Sequence, residues 1–236
     1  MGKREGADAV KKEKKKEPEA PQVLWHEENR TLTLEGEPVL DYALSWPELA
    51  DAGRGGRRIS RYYARLAQSW RLRWQRELYW RACLALSQHR AASRPFRPWH
   101  ACLRGEVTAQ EGDLLSLRLE GEEVCGGSRA CRACFGDVWR LCDGAPCSLK
   151  EVLGGQRRWK RPLLSQLTEL GDSRRAAGDC FLDPDWAKKA RRLLPEENFC
   201  LLPGGLELFF PQCTIAPAAE GVVCFLMPRP GAAECS

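Results

Sequence analysis

The sequence predicts an α+β fold: a mostly antiparallel β-sheet with one long amphipathic helix and several short helices. Three observations carry this expectation. Ile59, Tyr62, Tyr63, Leu66, Trp70, Trp74, Leu78, Ala82 and Leu86 recur at three- and four-residue steps, the period of one helix face. Residues 114–119 alternate, with Leu115, Leu117 and Leu119 on one side and Ser116 and Arg118 on the other, as in an antiparallel hairpin with one wet face. Helical and strand-like segments also follow one another in mixed order, which excludes a doubly wound parallel sheet.

Taken in order, residues 23–25 and 31–34 read as short strands around the polar stretch 26–30, and Glu35-Gly36-Glu37-Pro38 reads as a turn. Residues 39–44 form the next strand. Ser45 and Glu48 flank Trp46-Pro47 in a capping-box pattern that predicts a helical turn, and residues 52–56 a glycine-rich loop. The long helix runs over about 58–91. Residues 99–107 read as a strand, 108–113 as a connection, 121–127 as a glycine-rich link and 137–141 as a strand. Asp143-Gly144 is a turn. Ser148 and Glu151 form a second capping box, on a short helix that Gly154-Gly155 stops. Residues 162–170 predict a helix, and Asp183-Pro184-Asp185 predicts the start of another over 186–194. Residues 199–202 and 206–210 make a hairpin about Pro203-Gly204-Gly205, and 222–227 a last strand.

At 236 residues the chain can bury roughly 70% of its unfolded surface. A composition of 43% hydrophobic and 29% charged residues excludes a fully disordered chain, a collagen-like chain and a coiled-coil rod. Nine tryptophans predict large aromatic anchors in the core. No apolar run approaches the ~20 residues a membrane span requires. The basic residues near the N-terminus are followed by no apolar stretch, so no secretory signal is read there, and the expected compartment is cytoplasmic with reduced thiols. The organisation expected is a disordered basic tail over 1–21, an N-terminal half over 22–95, a C-terminal domain over 96–230 and a short tail over 231–236.

A net charge of +5 is too mild to be a DNA footprint by itself. The lysine-rich tail and the Arg/Trp-rich helix nevertheless define an alternative reading as a nucleic-acid-binding protein. Cys131 and Cys134 form a CxxC, the bite of two thiolates on one zinc, but the second pair that a structural site requires is missing from the expected distance. Cys125, Cys142 and Cys147 lie nearby without a histidine. His100 and Cys102, two apart on one strand, share a face and define a candidate nucleophile pair. Gly53-Arg54-Gly55-Gly56 lacks the Lys-Ser/Thr of a phosphate loop. No cofactor, metal or small-molecule substrate is expected.

The segment from Phe199 through Pro203-Gly204-Gly205 and Ile215-Ala216-Pro217 to Gly221, closed by the strand ending at Pro228, resembles the end of the RsiV-type C-terminal domain. That domain forms the outer part of an anti-sigma factor that senses lysozyme, and it accompanies a peptidoglycan deacetylase. Gly126-Gly127, Asp137, Asp143-Gly144 and residues 149–153 also follow the family's order, although Ser128-Arg129-Ala130 stands where the family has Ala-His-Gly. The resemblance implies a non-catalytic domain that binds a protein or a cell-wall-related partner. It places Gly126, Gly127 and Arg129 as candidate partner-binding residues. Gly204, Gly205, Ile215, Ala216, Pro217 and Gly221 are the fold motif.

Overall fold

The computed structural model describes residues 21–50, 53–127, 130–155 and 157–228. The expected tails and Arg129 lie outside these, apart from the last residue of the first tail. The fold is α+β, as expected. Strands β1 (Val23–Leu34), β2 (Glu37–Leu49), β3 (Trp99–Glu111), β4 (Leu114–Val124), β5 (Cys131–Arg140) and β6 (Ala145–Pro146) form one sheet in sequence order. All neighbours are antiparallel except β2 and β3, which pair in parallel from Leu40↔Trp99 to Leu44↔Leu103. A parallel neighbour needs a long crossover. The long helix provides it, as α1 (Gly53–Arg73), a π-helical turn (Trp74–Leu78) and α2 (Tyr79–Ala91). The sheet therefore joins the segments 22–95 and 96–230.

The helix covers one face of the sheet. Ile59, Tyr63, Trp74, Leu78 and Leu86 pack on Leu40, Leu44, Leu103, Leu115, Leu117 and Leu119. The π turn explains the spacing of its C-terminal half. Trp74, Leu78, Ala82 and Leu86 recur at strict four-residue steps, which would drift off one face of a 3.6-residue helix. The wider turn holds them on the sheet. Helix α1 starts within the expected loop, and Gly55 in its first turn is required by a close contact: a Cβ there would sit 1.9 Å from the Leu141 carbonyl oxygen.

On the opposite face lies a second sheet, β7 (Phe199–Leu202), β8 (Gly205–Phe210) and β9 (Val223–Pro228), with helices α3 (Leu149–Val152), α4 (Lys160–Ala177) and α5 (Trp186–Arg192). Its core joins Phe199, Leu208, Phe210, Phe225, Leu163, Leu167 and Trp186 to Val138 of β5. The face of β4 expected to be wet is thus covered. Ser116 is fully buried and its Oγ accepts the Leu201 N–H at 2.8 Å.

Other differences have local causes. The polar stretch 26–30 continues β1, because an edge strand tolerates charged side chains. Residues 45–48 extend β2 instead of turning helical. Only β1 pairs them, so one strand edge is open beside Pro47. The 108–113 connection shrinks to a turn at Gly112-Asp113, and β4 continues through Gly121 to Val124. Helix α4 is longer than its sequence signal, and Asp185 rather than Asp183 stands at the N-cap position of α5, without a side-chain capping bond. Asp183 instead accepts a bond from Lys189 Nζ at 2.6 Å.

The capping box at α3 forms as expected: Ser148 Oγ accepts the Glu151 N–H and Glu151 accepts the Ser148 N–H. Ser148→Ala should cost about 1 kcal/mol, read as a lowered melting temperature.

Candidate functional site

The small sheet covers only part of the outer face, over β4, β5 and the far end of β3. The rest, from β1 to the near end of β4, is open. Strand alternation decides which side chains stand there. Leu40, Tyr42 and Leu44 point to the helix, so Asp41 and Ala43 point out. Trp99, Ala101 and Leu103 point to the helix, so His100, Cys102 and Arg104 point out. With Asn29 and Thr31 from β1 and Glu122 from β4, they line a groove of about 510 Å³. A second cleft shares Cys102, Arg104 and Glu122 and reaches Cys134 of β5, Gly221, and Cys224 on β9 of the small sheet. The two form one trough across four strands, ending against the second sheet.

The trough carries mixed charge. Thr31 Oγ1 donates to Asp41 Oδ1 at 2.6 Å, and His100 Nδ1 lies 3.8 Å from Asp41 Oδ2. Arg132 Nε donates to Glu122 Oε2 at 2.7 Å. Arg104 has no carboxylate partner among the described residues. Behind the trough, Arg118 bridges the two sheets: its guanidinium meets Glu106 at 2.5 Å and Glu207 at 3.0 Å.

His100 and Cys102 do share this face, but the surroundings of Cys102 do not favour its thiolate. A cysteine nucleophile needs its thiol pKa lowered. Burial pushes the Cys102 thiol up, with Arg104 opposing and Glu122 reinforcing the shift. The neighbouring thiols move the same way. Burial raises Cys134 well above the usual thiol value, and it raises Cys200 to about 12 and Cys224 to about 11.

The geometry does not support a zinc site at Cys131 and Cys134. Cys131 and Cys134 both lie on β5, three residues apart, and so point to opposite faces: Cys131 stands opposite Glu123 and Cys134 opposite Glu120. Two thiols on opposite faces of one strand cannot share an ion. Among the described residues no three metal-ligating side chains converge.

Gly126 and Gly127 form the turn after β4, with Gly126 at a φ of 61° and facing Trp99 Nε1. They lie past the end of the trough rather than in it. The fold motif has structural roles. Gly204 turns the β7–β8 hairpin at a φ of 73°, and a Cβ on Gly205 would meet the Met227 carbonyl oxygen at 2.9 Å. Ile215 and Ala216 are buried in the second core, Pro217 precedes a 3₁₀ turn (Ala218–Glu220), and Gly221 ends that turn with a φ of 69°.

The sequence patterns alone do not show that this trough is open. Its signal was present in the alternation Asp41/Ala43 and His100/Cys102/Arg104. Which of the two faces would be uncovered depends on where the second sheet lands, over a hundred residues later in some cases.

No family model and no curated protein matches the chain. A member of the DUF3298 family from Bacteroides fragilis shares its architecture, with a TM-score of 0.66 and 16% identity over 90% of this chain and 92% of that one. A DUF3298 family protein from Pseudomonas aeruginosa is similar, with a TM-score of 0.52 and 15% identity over 91% and 93% of the two chains. At these identities the likeness is one of fold, and the fold of this chain is shared with bacterial DUF3298 proteins.

Proposed function

We propose that the chain is a non-catalytic, RsiV-like binding module that takes a protein partner on the open trough across β1–β4. The observation that carries this reading is the half-covered outer sheet face. A broad surface of mixed charge, with Arg104 lacking a carboxylate partner among the described residues and Ala43 as a low floor, suits a protein surface better than an enclosed small ligand. The raised Cys102 thiol counts against catalysis there. The RsiV-like C-terminal motif supports the same class of function by analogy of fold.

The test is affinity capture from the source cell's lysate, with and without nuclease. The expected result is a stoichiometric protein that survives nuclease. Ala43→Arg and Arg104→Glu should each weaken its capture about tenfold or more while leaving the melting temperature near that of the parent. Capture that collapses with nuclease, or that both variants leave intact, overturns the reading.

A further inference from the structure

The solvent side of the long helix has a composition that its own stability does not explain. The segment 53–91 holds ten arginines and one carboxylate, Glu77, whereas the whole chain is only +5. The rest of the molecule is therefore net acidic as a whole, and this element carries the largest share of the positive charge. Arg71, Arg73 and Arg90 are ion-paired to Glu28, Glu123 and the pair Glu35/Glu37. Among the described residues Arg57, Arg61, Arg65 and Arg76 have no carboxylate partner.

These arginines share one line. Ile59, Tyr63, Trp74, Leu78 and Ala82 are buried against the sheet, and Gly55 is buried against the turn at Leu141 and Gly144. Two residues further on is about 200° around a helix, the opposite side. Arg57, Arg61, Arg65, Arg76, Trp80 and Leu84 stand at those positions. The stripe is about 40 Å long at 1.5 Å per residue. Its N-terminal half is basic and its C-terminal half is apolar. Trp80 is 67% exposed, Leu84 61% and the neighbouring Leu72 39%.

This arrangement costs helix stability. Arg57/Arg61 and Arg61/Arg65 are like charges four residues apart, which repel. They also crowd the positive end of the helix dipole, where the first turn holds no acidic residue. A bound polyanion would offset both terms. Exposed tryptophan and leucine on the same line favour one polyanion over another: they gain by entering the headgroup boundary of a bilayer, whereas a leucine gains little against phosphates in water. We infer that the outer stripe of the long helix docks on an anionic lipid surface, arginines on the headgroups and Trp80 and Leu84 at the acyl boundary. The helix lies on the membrane and does not cross it; no described helix is long and apolar enough to cross.

The test is co-sedimentation of the full chain with vesicles of phosphatidylcholine alone, and of phosphatidylcholine and phosphatidylglycerol in equal parts. Binding should require the anionic lipid and weaken with salt. The triple change Arg57→Gln, Arg61→Gln and Arg65→Gln keeps helix propensity. It should lower partitioning about 100-fold, from about 1 kcal/mol per arginine. Trp80→Ala provides a second readout, with a loss of about fivefold to tenfold expected. Ala43→Arg, in the trough, should leave vesicle binding unchanged, so this inference and the trough reading fail separately. Equal binding to both vesicle types overturns it. So does wild-type binding by the triple variant, which would place any lipid affinity in the lysine-rich tail. Tighter binding to a DNA duplex at equal phosphate concentration also overturns it, in favour of a nucleic-acid surface.

Discussion

Gly136→Ala should destabilise the protein by about 3 kcal/mol, at the upper end of overpacking effects. Gly136 is on β5 where the small sheet crosses it. An added Cβ would lie 2.4 Å from the Phe199 carbonyl carbon, 2.5 Å from its oxygen and 2.5 Å from the Phe209 ring. Two of these atoms are backbone, so no side-chain rotation relieves the clash. Asn198 makes the region stiffer: its Oδ1 accepts the Gly136 N–H at 2.8 Å and its Nδ2 donates to the Phe209 carbonyl at 3.2 Å. The substitution must push the sheets apart or tilt β7. For a chain of this size the melting temperature should fall by about 6–12 °C. A variant that melts with the parent would mean that the two sheets are not in this contact.

Trp74→Ala should cost about 4 kcal/mol, the usual range for a large aromatic in a core. Trp74 is fully buried in the π turn, and its Nε1 donates to Glu123 Oε1 at 3.0 Å. Glu123 also accepts from Arg73 Nε at 2.9 Å and Nη2 at 3.0 Å. Burial alone would raise this carboxyl, but the bonds from Arg73 and Trp74 outweigh it and hold Glu123 below the usual carboxylate range. Its contribution is therefore complete above the unfolded carboxylate pKa and is lost as pH falls through that value and on to the lower folded one. Stability measured by denaturant should drop in this acid window. In Glu123→Gln the drop should be shallower, with lower stability at neutral pH. Since Arg73 is about half exposed, the pair contributes less than a fully buried one. An unchanged acid profile in Glu123→Gln would remove the carboxylate from this role.

Much of the fold was legible, for identifiable reasons. The apolar stripe from Ile59 to Leu86 and the hairpin about Gly204 are local patterns, and local patterns survive folding. The π turn was also written in the sequence, as the four-residue steps Trp74–Leu78–Ala82–Leu86, but a period slightly above 3.6 is easily read as an ordinary helix. Ser116 shows the limit. Its alternation with Leu115 and Leu117 fixes two faces but not what covers each, and a serine inside a sheet sandwich looks like a serine in water until Leu201 arrives to donate to it. The Ser45-Trp46-Pro47-Glu48 signal failed for the same reason, since pairing with β1 outweighed a local cap. The trough depends on the same non-local fact. His100, Cys102 and Arg104 are recognisable as one face, yet only the placement of β7–β9 leaves that face open.

The claim that this open face binds the partner is tested most directly by site-specific photo-crosslinking. A benzophenone amino acid is placed at Asn29 in the trough, at Trp80 on the outer helix stripe, and at Glu169 on the exposed side of α4, and each full-length protein is irradiated in the lysate. A discrete, nuclease-resistant protein adduct is expected from Asn29, and none from Trp80 or Glu169. Adducts to the same protein from Trp80 or Glu169, with none from Asn29, would contradict it.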